Sequence, residues 1–292
     1  MPPFGEVLTA MITPFRADGH VDHERAWRLA RFLVDHGSDG LVVTGTTGES
    51  PTLSDDEKAS LYATVVDAVG GRAQVVAGTG TYDTAHSVEL SRRAADLGAD
   101  GILAVTPYYN KPTQDGLVAH FTAIAEATDL PVMLYNIPSR TGRLIEVETL
   151  GRLAEHPNIA AVKDAVMDID HTSRVVTEVP SLAVYSGQDS YTFPMMAVGA
   201  VGVVSVISHL AGREVKAMVR AAAVGNMEEA RRLHQRLLPL CWACFLETNP
   251  GPVKGAMSAL WEPCGDPRLP LVPPSAATLQ AIKDALATLQ AR

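Results

Sequence analysis

The chain has 292 residues, 47% hydrophobic and 20% charged, with a formal net charge of −9. That balance suits a soluble globular protein with a sizeable core and argues against a nucleic-acid-binding surface. No stretch nears the ~18 apolar residues of a membrane span, the N-terminus lacks a signal-peptide pattern, and three cysteines make no disulfide framework. The expectation is a cytosolic chain with no membrane or nucleic-acid partner.

Eight apolar, β-branched runs recur along the chain, at 7–12, 40–44, 74–77, 101–106, 132–136, 159–163, 183–186 and 202–207. Continuous runs of this kind suit parallel strands buried on both faces. Helical patterns separate them. Asp22 is placed to cap a helix running toward Gly37, and Ser54 with Glu57 forms a capping box before the next. Asp83 precedes a third helix that stops near Gly98, and further helices are expected at 114–128, 146–156, 170–178, 190–198 and 209–224. Eight alternating units predict an α/β fold of the (β/α)8 TIM-barrel type over residues 1–225. After Gly225 the alternation ends. Three more helices, at 227–247, 250–261 and 275–290, make a C-terminal helical domain over 226–292, with a proline-rich link at 263–274.

Active sites of such barrels gather at the C-terminal ends of the strands. Those ends carry Gly45-Thr46-Thr47-Gly48-Glu49-Ser50, Pro107-Tyr108-Tyr109-Asn110, Tyr135-Asn136-Ile137-Pro138-Ser139-Arg140, Lys163-Asp164 and Gly187-Gln188-Asp189. Lys163 stands out because it ends an apolar run in a chain with only six lysines against eighteen arginines. An amine moved into a low-dielectric interior loses hydration, so its neutral, nucleophilic form becomes accessible near pH 7. Such an amine forms imines with carbonyl substrates. Taken alone, a strand-end lysine that reaches solvent or pairs with Asp164 is the commoner arrangement. The hydroxyls, tyrosines and arginine converging on the same mouth shift the balance toward aldol-type chemistry.

The remaining motifs carry little. Nine histidines show no metal-ligand spacing, so no metal is expected. Cys241 and Cys244 share one helix face, where small buried residues are commoner than a redox pair. Gly78-Thr79-Gly80 lacks the lysine and spacing of a nucleotide loop. No cofactor is expected.

The glycine-threonine run at 45–50, Thr106-Pro107-Tyr108-Tyr109-Asn110-Lys111-Pro112, the run from Tyr135 to Gly142 and Val162-Lys163-Asp164 together resemble the dihydrodipicolinate synthase / N-acetylneuraminate lyase family. The resemblance extends through the tail, including Glu247-Thr248-Asn249-Pro250-Gly251-Pro252-Val253-Lys254. It implies that Lys163 forms a Schiff base with pyruvate and that Tyr135 moves protons through a hydroxyl chain with Thr46 and Tyr109. It implies that the second tyrosine of the pair reaches a neighbouring subunit, in a homo-oligomer built as a dimer of dimers. Thr47 matches the residue that binds the pyruvate carboxylate, while Gly187 and Val204 match main-chain contacts to pyruvate. Arg140 matches a guanidinium suited to the carboxylate of aspartate-4-semialdehyde. The sugar-acid lyases of the family usually lack it.

The synthase branch is thus expected, making 4-hydroxy-tetrahydrodipicolinate on the diaminopimelate route to lysine. The alternatives are a 2-keto-3-deoxy sugar-acid or N-acetylneuraminate aldolase, and a catalytically silent barrel acting as a sensor or scaffold. Positions matching the family's regulatory lysine site are Ser50, Asp55, Lys58, Tyr82, His86 and Tyr108. A Lys58 cation would repel the ligand's ammonium group and His86 supplies no carboxylate, so weak or absent lysine inhibition is expected.

Overall fold

A computed structural model describes residues 2–291. Eight parallel strands, β1 Val7–Ala10, β2 Gly40–Val43, β3 Gln74–Gly78, β4 Gly101–Val105, β5 Val132–Asn136, β6 Ile159–Asp164, β7 Ala183–Ser186 and β8 Gly202–Ser205, form a closed barrel in sequence order. Closure comes from β8 pairing back onto β1, with Val203 opposite Val7 and Val204 opposite Leu8. Alternate side chains along each strand face opposite sides. Leu8, Val42, Val76, Leu103, Met133, Ala161, Tyr185 and Val204 fill the barrel interior. Their neighbours Leu41, Val43, Val75, Ala77, Ile102 and Leu134 meet the surrounding helices in a second core.

Those helices are α1 His23–Asp35, α2 Asp55–Val69, α3 Thr84–Asp96, α4 Gln114–Ala125, α5 Pro138–Thr141, α6 Val147–Leu153, α7 Ile169–Glu178, α8 Thr192–Ala197 and α9 Ser208–Ala223. The caps read from sequence form: Asp22 accepts from the Arg25 amide at 3.0 Å, Asp83 from the His86 amide at 2.7 Å, and Ser54 and Glu57 exchange a complete capping box. Four strands, β1, β2, β4 and β8, stop short of their apolar runs, and for β1 and β8 the reason is identifiable. The Ile12 amide leaves the ladder for the His209 ring nitrogen at 3.1 Å, and the amides of Val206 and Ile207 turn to the Asp189 carboxylate at 2.9 and 3.2 Å.

The tail adds α10 Met227–Ala243, α11 Gly251–Leu260 and α12 Ala276–Gln290. Leu233, Leu237, Ile282 and Leu289 share a core with Val215, Val219 and the barrel residues Val7 and Val203. A second tie is ionic. Lys254 on α11 and Glu49 in the loop after β2 are both fully buried and meet at 2.6 Å. The same carboxylate accepts from the Arg268 amide at 2.8 Å, and the Lys254 amine lies 3.8 Å from the Phe15 ring centroid. Among the described residues, no helix is long and apolar enough to cross a membrane. Nor do three or more histidine, cysteine or carboxylate side chains among them form a group able to hold a metal.

Candidate active site

Lys163 enters the barrel interior from β6. Its register partners are Tyr135 on β5 and Tyr185 on β7. The Tyr185 hydroxyl points to the other end of the barrel, donating to the Gly5 carbonyl at 2.9 Å and accepting from the Phe4 amide at 3.2 Å. It closes the floor. The Lys163 amine lies 4.1 Å from the centroid of the Tyr135 ring, and the residue is 6% exposed. Burial lowers its pKa to about 7; the Asp189 charge raises it, and the Arg140 charge lowers it further. A glycine is needed beside it. A Cβ at Gly187 would stand 2.8 Å from the Ala165 Cβ and 3.1 Å from the Lys163 Cγ, so the lysine stem packs against bare backbone. Val204 is buried in the same interior cluster.

Tyr135 is buried, and desolvation pushes its phenol up to about 12, with the Arg140 charge and the Thr46 hydroxyl pulling it back. A phenol this reluctant to ionise lies far from the near-neutral pKa that favours acid–base catalysis, so moving protons through it requires coupling to a partner group. The turn carrying Thr46 and Thr47 is fixed from several sides. Thr13 donates to the Gly48 carbonyl at 2.7 Å, and a Cβ on Gly48 would come within 3.1 Å of the Met11 carbonyl. Glu49 adopts a left-handed φ of 59°, tolerated because its carboxylate is held by Lys254 and Arg268. The Thr47 hydroxyl accepts from the Asn249 side-chain amide at 2.9 Å.

Arg140 sits on α5, a single turn after β5 that the sequence pattern did not reveal. Its amide and that of Thr141 both bond to the Ile137 carbonyl, at 3.1 and 3.0 Å. The exposed guanidinium donates to the Asn249 carbonyl at 3.4 Å. It borders a cavity of about 220 Å³ whose walls include Thr46, Ser50, Tyr108 and Tyr135. Thr47, Lys163, Gly187 and Val204 are not part of that wall; the lysine amine lies against the Tyr135 ring instead.

Tyr109 is not brought into this group. It is 94% exposed, with a φ of 71°, so of the three hydroxyl residues singled out from the sequence only Thr46 and Tyr135 lie on the same cavity. The outlying positions form two small clusters. Asp55 bonds His86 at 2.9 Å and stands 3.7 Å from Lys58, while Tyr82 packs edge-on against Tyr108 with centroids 5.4 Å apart. Lys58 is no free cation, as its sequence position suggested: it is 5% exposed, and burial lowers the pKa of its amine.

Sequence reasoning gave no role to Asp189, Glu49, Lys254 or Asn249. Asp189 is buried, accepts from Ser205 at 2.5 Å, and is the anionic neighbour of Lys163; burial raises its pKa. Its position after strand seven was a usable signal. The contacts of Asn249 and Lys254 span about 200 positions and left no local trace.

The model of the Dihydrodipicolinate synthetase family matches residues 3–289. A 4-hydroxy-tetrahydrodipicolinate synthase of Moorella thermoacetica is 56% identical over 270 residues, 92% of this chain and 92% of the relative. A 4-hydroxy-tetrahydrodipicolinate synthase 2 of Streptomyces coelicolor is 54% identical over 92% of this chain and 90% of its own. Among solved structures, a lysine-bound enzyme from Cyanidioschyzon merolae superposes with a TM-score of 0.97 at 44% identity, covering 99% of each chain. A synthase variant described as monomeric matches at 0.95 and 40% identity, covering 99% of this chain and 97% of that one. The chain therefore belongs to the dihydrodipicolinate synthetase family.

Proposed function

We propose that this protein is a 4-hydroxy-tetrahydrodipicolinate synthase, condensing pyruvate with L-aspartate-4-semialdehyde through a Schiff base on Lys163. The observation that carries the reading is the buried Lys163 amine, lowered to about pKa 7 against the Tyr135 ring, with a guanidinium at the mouth. The neutral amine attacks the ketone carbon of pyruvate, and water leaves as the imine forms. The protonated imine draws electrons from the methyl group, which loses a proton and becomes an enamine. The enamine carbon adds to the aldehyde. The aspartate-derived amine then attacks the imine carbon, closing the ring and releasing Lys163.

In this scheme Tyr135 carries protons, aided by Thr46. Thr47 and the main chain at Gly187 and Val204 hold the keto acid. Arg140 takes the carboxylate of the aldehyde substrate and disfavours the sugar-acid aldolase reading. Parallel assays with aspartate-4-semialdehyde and with sugar aldehydes test the assignment: turnover with the first is expected, and turnover only with the second would overturn it. The enzyme would work in the cytosol.

The low amine pKa gives a pH prediction. Below about 7 the protonated, non-nucleophilic amine dominates; above it the neutral form does. Trapping of the pyruvate adduct should therefore accelerate through pH 7 and level off above pH 8. An amine with an ordinary pKa of about 10.4 would keep accelerating to pH 10 instead.

A homo-oligomer is part of the reading, because Tyr109 reaches no site within its own chain; that it is built as a dimer of dimers is what the family resemblance implies. Mixing Tyr109→Phe chains with Lys163→Ala chains should restore activity that neither has alone, since each mixed pair holds one complete site. No recovery would argue for sites completed within single chains.

Lysine is expected to inhibit weakly. The Asp55 carboxylate that could receive an ammonium group is already engaged by His86 and Lys58. An inhibition constant well below ~1 mM would contradict this.

A further inference from the structure

The tail grips the loop after β2 at two points. Asn249 bonds Thr47, and five residues on Lys254 bonds Glu49, two residues past Thr47. The first link has a chemical consequence. A hydroxyl has one hydrogen to give and two lone pairs to receive. The Asn249 amide donates into one lone pair of the Thr47 oxygen at 2.9 Å. Among the described residues the Thr47 hydrogen has no acceptor, so it is left to point elsewhere. A carboxylate, which only accepts, is the partner such a hydroxyl suits. Asn249 itself is 6% exposed, and its main-chain carbonyl receives the Arg140 guanidinium at 3.4 Å, while its side-chain oxygen has no partner among the described residues. One tail residue therefore contacts both groups assigned to the two substrate carboxylates.

We infer that Asn249 is a positioning residue that forces the Thr47 hydroxyl to act as a donor toward the keto-acid carboxylate, making the site selective for 2-keto acids over neutral ketones. The inference rests on the proposed function. The buried Lys254–Glu49 pair holds the two segments in register, because neither charge has water to fall back on.

Asn249→Asp is the sharpest test. A carboxylate at this position accepts from Thr47, turning the hydroxyl hydrogen away from the substrate and adding a like charge near it. The pyruvate concentration giving half-maximal borohydride trapping should rise about tenfold or more, the scale of one hydrogen bond to a charged group. Trapping of hydroxyacetone, a ketone without a carboxylate, should keep its half-saturation.

Asn249→Ala frees the hydroxyl to rotate and should have a smaller effect, which vanishes in a Thr47→Val background. That cycle decides the matter if the aspartate variant fails to fold, as judged by its melting temperature. Equal shifts for both ketones, no shift for pyruvate, or a full alanine effect without the Thr47 hydroxyl would each overturn the inference. Failure of the unaltered chain to trap pyruvate would instead remove the functional reading itself.

Discussion

Lys163→Ala should lower kcat/KM by roughly 10⁴-fold or more, the scale on which losing a covalent nucleophile acts. The two other buried lysines are held elsewhere. Lys254 is bound to Glu49, and Lys58 is buried beside Asp55 on the flank of the barrel. Lys163→Arg should fare no better despite keeping a cation, because a guanidinium stays protonated and cannot become an imine. The pair of variants separates nucleophilic from electrostatic roles: if arginine rescued activity, the residue would be acting as a charge. The alanine variant should stay folded, since removing a buried amine whose hydration is already lost relieves a desolvation cost; the arginine variant keeps a permanent charge in the same interior, so its melting temperature is measured beside its activity.

Arg140→Leu should reduce kcat/KM for aspartate-4-semialdehyde roughly 100-fold or more, from loss of a two-point hydrogen bond to a charged group. The pyruvate half-reaction should be largely spared. Arg140 sits at the mouth, outside the packed interior around Lys163, and its charge slightly opposes protonation of that amine. Stopped-flow trapping with pyruvate, run beside turnover assays, reads the two steps separately. A variant that lost pyruvate trapping to the same extent would place the guanidinium at the keto acid instead.

Much of the barrel was legible because its signals are local. The strands at 132–136 and 183–186 have the bounds their apolar runs suggested, and each cap at Asp22, Ser54 and Asp83 is a matter of three or four residues. Errors came where distant groups intervene. The helix expected to reach 247 ends at Ala243, and the chain then turns to carry Asn249 and Lys254 to the loop after β2. Likewise, α9 contains a break at Ala211, beside the His209 ring that receives the Ile12 amide. The core of the site was readable as residue types at strand ends, yet its electrostatics were not. Nothing adjacent to Lys163 in sequence announces Asp189 as its buried counter-charge, or Glu49 as the anchor of the threonine turn.

The most direct test is reduction of the enzyme with borohydride in the presence of pyruvate, followed by peptide mapping. Here the adduct should be confined to the peptide containing Lys163 and disappear in Lys163→Ala. An unmodified chain, or an adduct on any other lysine, would contradict it.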